Sequence, residues 1–223
     1  MLKFYHTPLS VNSRRVWVML LEKQVKFEEI VLSLQGDQFD AEYLKLNPFH
    51  HIPTLVDDDF TLIESLAILD YLEAKYPTPS FTPKDAKAIG IMRMIELVTV
   101  NELLPTTLPL LKQRVGLPED PKQPLEAVYQ KITTIFDFYQ KYLGDNPYLL
   151  GEQITLADLV VGTVIPTLKY MNISLENHPQ LQAWCERLML RESWQKTEQK
   201  PEYIEASYAK IKAILTQKSQ AIN

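Results

Sequence analysis

The stretch Asn47 to Ser65, NPFHHIPTLVDDDFTLIES, decides the fold. Pro53 heads an apolar run, Thr54-Leu55-Val56, which breaks on the acidic turn Asp57-Asp58-Asp59 and resumes as Phe60-Thr61-Leu62-Ile63. Two such runs around a polar turn predict a β-hairpin. A proline entering a strand removes one ladder donor, so it is confined to an edge, a bulge or a first residue, and it often carries a cis peptide. Ile52 before it then keeps its N–H and C=O for something outside the sheet. Directly after the hairpin, Glu64-Ser65 open an amphipathic run (Leu66, Ala67, Leu69, Tyr71, Leu72), which predicts a helix whose free N-terminal N–H groups favour an anion. The stretch thus offers two edges to a peptide-like ligand.

Upstream, Leu2-Lys3-Phe4-Tyr5-His6 has strand composition and breaks at Thr7-Pro8-Leu9-Ser10. The residues from Val11 lead into an apolar helix ending near Lys23, so Ser10 sits at a strand-to-helix turn. Val25 to Leu32 alternates as a strand should, and Gly36-Asp37 restarts a short helical stretch through Tyr43, Leu44 and Leu46. The order β-α-β-α-β-β-α describes a small mixed sheet covered by helices.

Composition changes after Tyr76. The run Pro77-Thr78-Pro79-Ser80-Phe81-Thr82-Pro83 reads as a semi-rigid linker, and nearly every later segment has helical period. The expected division is a sheet domain over 1–78, a linker over 79–86 and an all-helical domain over 87–223. Asp85 to Val115 predicts one long helix or a broken pair, kinked or ended by Pro105 and Pro109. Leu125 to Leu143 predicts another. Thr155-Leu156-Ala157-Asp158, with Ile154 before it, has the form of a capping box in which Asp replaces Glu. That helix is expected to reach about Met171 with a kink at Pro166. His178-Pro179 to Leu190 and Glu202 to Leu215 complete the helices.

A length of 223 residues suits two modest domains, and a net charge of -5 with no basic-aromatic stripe argues against nucleic acid. No apolar run approaches the roughly 20 residues of a membrane span, and no signal-peptide pattern opens the chain. A cytoplasmic protein with a small-molecule ligand is expected, with no nucleic-acid or membrane partner and no metal. The single cysteine, Cys185, lies in the periodic segment Leu181-Trp184-Cys185-Leu188, which predicts buried packing.

Four features, in order, give the chain its resemblance to the cytosolic glutathione transferases. Tyr5 with Ser10-Val11-Asn12-Ser13-Arg14-Arg15-Val16 resembles the strand-turn-helix of the serine-type branch (theta, delta and phi classes). Asn47 to Pro53 resembles the Asn-Pro motif with its cis-proline, in a delta-like form with a histidine. Glu64-Ser65 resembles the pair that recognises the γ-glutamyl end of glutathione, and Thr155 to Asp158 the capping motif of the helical domain. The resemblance covers nearly the whole chain. It implies a thioredoxin-like N-terminal domain, an all-helical C-terminal domain, glutathione as co-substrate, a small apolar electrophile as second substrate and a homodimer.

On the residues alone, Ser10 is either a helix cap or a hydroxyl poised to stabilise a thiolate; the resemblance favours the second. Tyr5 and Ser13 are the alternative hydroxyls, with packing expected for Tyr5. His50 is implied at the glycyl carboxylate of glutathione, Ile52 beside Pro53 at the cysteinyl backbone, Glu64 at the α-ammonium and Ser65 at the α-carboxylate. Leu66 stands where delta-like chains often carry arginine, so a cation is expected from elsewhere, with Arg14 and Lys45 as candidates. The electrophile pocket is expected between the domains, with Leu9 and Val11 on one wall and Leu104, Leu108, Leu111 and Tyr170 on the other, although their helical spacing also suits a core. Phe49 is a candidate anchor into a second subunit. An isomerase, dehalogenase or peroxidase using the same thiolate would differ only in the pocket, and Ser-Val-Asn departs from the Ser-Ser-Cys of maleylacetoacetate-type isomerases. A non-catalytic interaction protein on this fold has no need of Ser10 together with Glu64-Ser65.

Overall fold

The computed structural model describes residues 1–33 and 36–220. The chain divides into two compact units, one of 1–83 with 190–198 and one of 84–189 with 199–223. In the first unit β1 (Leu2–His6), α1 (Val11–Glu22), β2 (Glu28–Val31), α2 (Ala41–Leu46), β3 (Thr54–Asp57), β4 (Phe60–Ile63) and α3 (Ser65–Lys75) follow in the expected order, with a 3₁₀ turn at Asp37–Phe39. The sheet runs β2-β1-β3-β4, with β1 parallel to β2 and antiparallel to β3. Alternation along β1 buries Leu2, Phe4 and His6 on one face, where Trp17 of α1 meets the His6 ring at 4.8 Å. Tyr5 points to the other face, 5.8 Å from the Tyr43 ring of α2. Phe4, Leu20, Leu55, Ile68, Leu69 and Leu72 are fully buried and form this core.

Strand β2 is shorter than its alternating pattern, because α1 is closed by the residues in front of it. Gln24 takes a left-handed φ of 53°, and the Val25 N–H donates back to the Leu20 carbonyl at 3.0 Å. That closure uses the backbone that the pattern assigns to the start of the strand. In the hairpin, Asp57 belongs to β3 and pairs with Phe60, leaving Asp58-Asp59 as a two-residue turn.

The second unit begins with α4 (Ala86–Val98), a π turn at Thr99–Leu103 and α5 (Leu104–Arg114), continuous as one helical stretch. Pro105 and Pro109 neither end it nor lie at its irregularity. The register widens just ahead of Pro105, whose missing N–H would leave a carbonyl of the preceding turn without a donor. By length, 29 residues, and by apolar composition this joined helix would suffice to cross a membrane, a feature the sequence reading did not anticipate. Some of its polar side chains are paired within the second unit: Arg93 donates to buried Glu96 at 2.8 Å, and Thr99 shares a hydrogen bond with Tyr139 at 2.7 Å.

Next come α6 (Leu125–Leu143) and α7 (Leu156–Gly162). The helix expected to run to Met171 is two pieces, α7 and a 3₁₀ segment at Ile165–Met171. The Thr163 hydroxyl donates to the Leu159 and Val160 carbonyls at 3.1 Å, serving the end of α7 ahead of Pro166. Then follow α8 (Pro179–Met189), which buries Cys185, α9 (Glu192–Thr197) and α10 (Pro201–Gln220).

Helix α9 is absent from the sequence reading, and with its flanks it belongs to the first unit. Arg14 of α1 donates to the Thr197 hydroxyl and the Trp194 carbonyl, each at 3.2 Å, and Trp194 is fully buried. Arg191 forks onto Glu22 at 2.9 and 2.6 Å, and the Ser193 hydroxyl donates to the same carboxylate.

Candidate active site

Strand register brings the sequence motifs to one end of the sheet. Tyr5 pairs with Thr54, and Thr54 pairs with Ile63, so these three residues form a row across β1, β3 and β4. Beyond that row the chain leaves β1 for Thr7–Ser10, enters β3 from Ile52-Pro53 and leaves β4 for Glu64-Ser65. Segments far apart in sequence thus emerge at neighbouring positions.

Ser10 is the N-cap of α1, extended at φ -84° and ψ 120°, and its Oγ accepts from the Ser13 N–H at 3.2 Å. The capping reading is therefore correct. A serine oxygen can accept and donate at once, and the Ser10 hydroxyl donates to no acceptor among the described residues. Ser13 is fully buried and its hydroxyl has no hydrogen-bond partner among the described residues.

The Asn47 side chain organises the approach to Pro53. Buried Asn47 donates to the His51 carbonyl at 2.9 Å and to the Thr54 hydroxyl at 3.2 Å, while its Oδ1 accepts from the Phe49 N–H at 3.1 Å. The Tyr43 hydroxyl lies 2.5 Å from the His51 carbonyl and 3.0 Å from the Thr54 hydroxyl. These bonds fix the backbone on either side of the cis Ile52-Pro53 peptide. Ile52 stands outside the ladder, and no backbone bond from its N–H or C=O occurs among the described residues.

Glu64 takes the N-cap position of α3 at φ 68° and ψ 114°, a conformation that costs a non-glycine residue about 1–3 kcal/mol. Its side chain makes no capping bond and is exposed. Ser65 is buried, and Arg15 Nη1 reaches its hydroxyl at 3.5 Å. The cation that reaches this helix mouth is thus Arg15, and neither of the expected candidates, Arg14 and Lys45, is seen to contact it. Arg14 is turned to α9, and Lys45 pairs with Glu42 at 2.6 Å on the surface. Arg15 lies within the Ser10–Val16 motif, five residues after Ser10, but nothing in its spacing distinguishes it from Arg14 as the residue that meets α3.

His50 has a left-handed φ of 49° and packs its ring against Phe39 at 4.9 Å; His51 lies edge-on to it at 5.5 Å. Phe49 is 59% exposed. Of the electrophile-pocket residues, Leu9 is exposed and Val11 half-buried in the first unit. In the second, Leu104, Leu111 and Tyr170 are half-buried and Leu108 is exposed. Leu108 alone of these lines a cavity of about 310 Å³ in the helical unit, with Pro109, Lys112, Leu117, Pro118 and Leu125.

A βαβαββα unit with a cis-proline entering its third strand, a hydroxyl at the first helix N-terminus and a helical partner unit define a thioredoxin-like thiol-binding protein. The glutathione S-transferase N-terminal domain model matches residues 4–80 and the glutathione S-transferase C-terminal domain model residues 98–192. Glutathione S-transferase 3 of Zea mays is 34% identical over 207 residues, covering 88% of this chain and 92% of its own. Glutathione S-transferase F10 of Arabidopsis thaliana is 31% identical over 209 residues, covering 87% and 95%. The apo structure of human glutathione-S-transferase T1-1 superposes with a TM-score of 0.79 at 28% identity, covering 88% of this chain and 87% of that one. The chain belongs to the glutathione S-transferase family. It is a glutathione transferase, an enzyme that joins the glutathione thiol to an electrophile.

Proposed function

We propose that Ser10 is the thiolate-stabilising residue of a serine-type transferase that conjugates glutathione to small apolar electrophiles. The observation that carries the reading is the unspent hydroxyl proton of Ser10 at the mouth of a 12-residue helix, at the sheet end that also bears Ile52-Pro53 and Glu64-Ser65. The energetics suffice without a dedicated base. Lowering a thiol pKa of about 8.5 by about two units takes roughly 2.7 kcal/mol. A hydrogen bond to a charged sulfur supplies about 1.5–3 kcal/mol, and the partial positive charge of the helix N-terminus contributes part of the rest.

In this reading the Ile52 backbone pairs with the cysteinyl residue as a short added strand. Glu64 accepts from the α-ammonium of glutathione. Ser65 donates to the α-carboxylate, and Arg15 behind it supplies the positive charge that Leu66 lacks. His50 donates to the glycyl carboxylate. Leu9 and Val11, and on the helical unit Leu104, Leu108, Leu111 and Tyr170, are the proposed contacts of the electrophile. Detoxification in the cytoplasm by a homodimer, with Phe49 as its anchor, fits the family and the exposed ring.

Ser10→Ala is expected to lower kcat at pH 7 by about ten- to a hundredfold, the loss of one charge-assisted hydrogen bond. KM for glutathione should stay within about twofold, since only the thiolate is affected. Thiolate absorbance of bound glutathione, titrated against pH, should shift toward the free thiol in the same variant. An unchanged rate would move the role to Ser13 or Tyr5.

A further inference from the structure

The four rings Phe39, His50, His51 and Phe49 form a connected surface cluster in which Phe39 comes from a different segment than the other three. Phe39 ends the 3₁₀ turn Asp37–Phe39, and its N–H donates to the Gly36 carbonyl at 2.8 Å. It leaves 55% of its surface in water. What it touches is the His50 ring, at 4.9 Å and an interplanar angle of 46°.

The His50 backbone is fixed independently, by its N–H donating to the Asn47 carbonyl at 3.0 Å and by the left-handed φ. Those constraints set where the side chain starts and leave its two χ angles free. A surface histidine with free χ angles must be ordered each time it meets a ligand, at an entropic cost. A ring tilted at 46° against the imidazole restricts that freedom and leaves ring-edge nitrogen available to a hydrogen-bond partner. His51 bounds the same imidazole from the side.

We propose that Phe39 is a positioning residue for glutathione binding, holding the His50 imidazole in the orientation that meets the glycyl end of the tripeptide. The inference rests on the placement of His50 in the glutathione site proposed above. Phe39 acts only through His50 and has no part in the chemical step.

The experiment is a double-mutant cycle of Phe39→Ala and His50→Ala, with Phe39→Tyr as the conservative control, read in kcat and KM for glutathione at saturating electrophile. Both single variants are expected to raise KM about fivefold with kcat within about twofold, the signature of lost ground-state binding. The double variant should match His50→Ala alone, and Phe39→Tyr should match the parent because the ring is kept. The His50 ring-proton NMR signals of the ligand-free protein should also lose their ring-current shift in Phe39→Ala, a readout independent of turnover. Effects that multiply in the double variant, or a Phe39→Ala KM equal to the parent's while His50→Ala raises it, would overturn the proposal. If His50→Ala leaves KM unchanged while the NMR signals move, the placement of His50 in the glutathione site is what fails, and the proposal falls with it.

Discussion

Glu64 and Asp57 lie at opposite ends of the β3–β4 hairpin and show two uses of a carboxylate. Glu64 holds an uncommon backbone conformation and spends its side chain on nothing within its own helix. Strain of that kind persists where the surroundings enforce it, and at Glu64 it accompanies the ligand contact proposed above. Asp57 is structural: Tyr71 donates to it at 2.5 Å and the Lys75 ammonium sits on the same oxygen, tying the hairpin to α3. The Lys75 and Tyr71 hydrogen bonds hold the Asp57 carboxyl below the usual range. A depressed carboxyl stabilises the fold above its unfolded pKa of about 3.9, and the contribution is lost as pH falls through the lower, folded value. Asp57→Asn should therefore lower Tm at pH 6, by an amount that shrinks progressively as the pH falls below the unfolded carboxyl pKa. Melting curves at descending pH test it, and a Tm gap that stays constant with pH would show that the role is not electrostatic.

At the scale of elements, the Thr155–Asp158 capping box does more than start α7. The fully buried Asp158 carboxylate accepts from the Thr155 N–H and hydroxyl at 2.8 and 2.9 Å, from the Leu149 N–H at 2.9 Å and from the Trp184 indole N–H at 2.9 Å. It therefore joins the turn after α6, the start of α7 and the middle of α8. Burial pushes its carboxyl upward and the four donors oppose that shift. Asp158→Ala strands buried donors and should cost roughly 3–5 kcal/mol, with Asp158→Asn costing less because one carbonyl oxygen remains. Urea midpoints of the two variants give the comparison; equal midpoints would mean that volume, rather than hydrogen bonding, matters there.

The box and most helices were legible because they are local: caps and apolar periods lie within a few residues of what they control. The irregularities were less so. The π turn before Pro105 and the 3₁₀ segment after Gly162 depend on how neighbouring carbonyls find donors, which the proline positions signal only coarsely. Helix α9, at six residues, is too short for a period to show. In the candidate site, Ser10, Ile52, Glu64 and Ser65 could be chosen from motifs. The contacts of Phe39 with His50 and of Arg15 with Ser65 could not, because they depend on what meets across the fold; Arg15 stands in the first motif with nothing there to set it apart from Arg14.

On the scale of the whole molecule, the sheet unit is discontinuous in sequence and is completed by residues 190–198. Arg14→Met removes the donors to Thr197 and Trp194 while keeping much of the side-chain volume. It should destabilise the protein by about 1.5–3 kcal/mol, the range for bonds to a charged donor. Hydrogen exchange should quicken in both α1 and α9 in that variant; faster exchange in α9 alone would mean that α1 does not depend on this covering.

The contact between Arg14 and Thr197 spans 183 residues, and this has a consequence for synthesis. At about 5–20 residues per second, a ribosome needs on the order of 10–40 s to deliver Thr197 after Arg14. For that interval the nascent sheet unit waits with the α1 surface that receives Trp194 uncovered, open to chaperones and to neighbouring chains. The finished domain is therefore a late product of translation, although nearly all of it is encoded first.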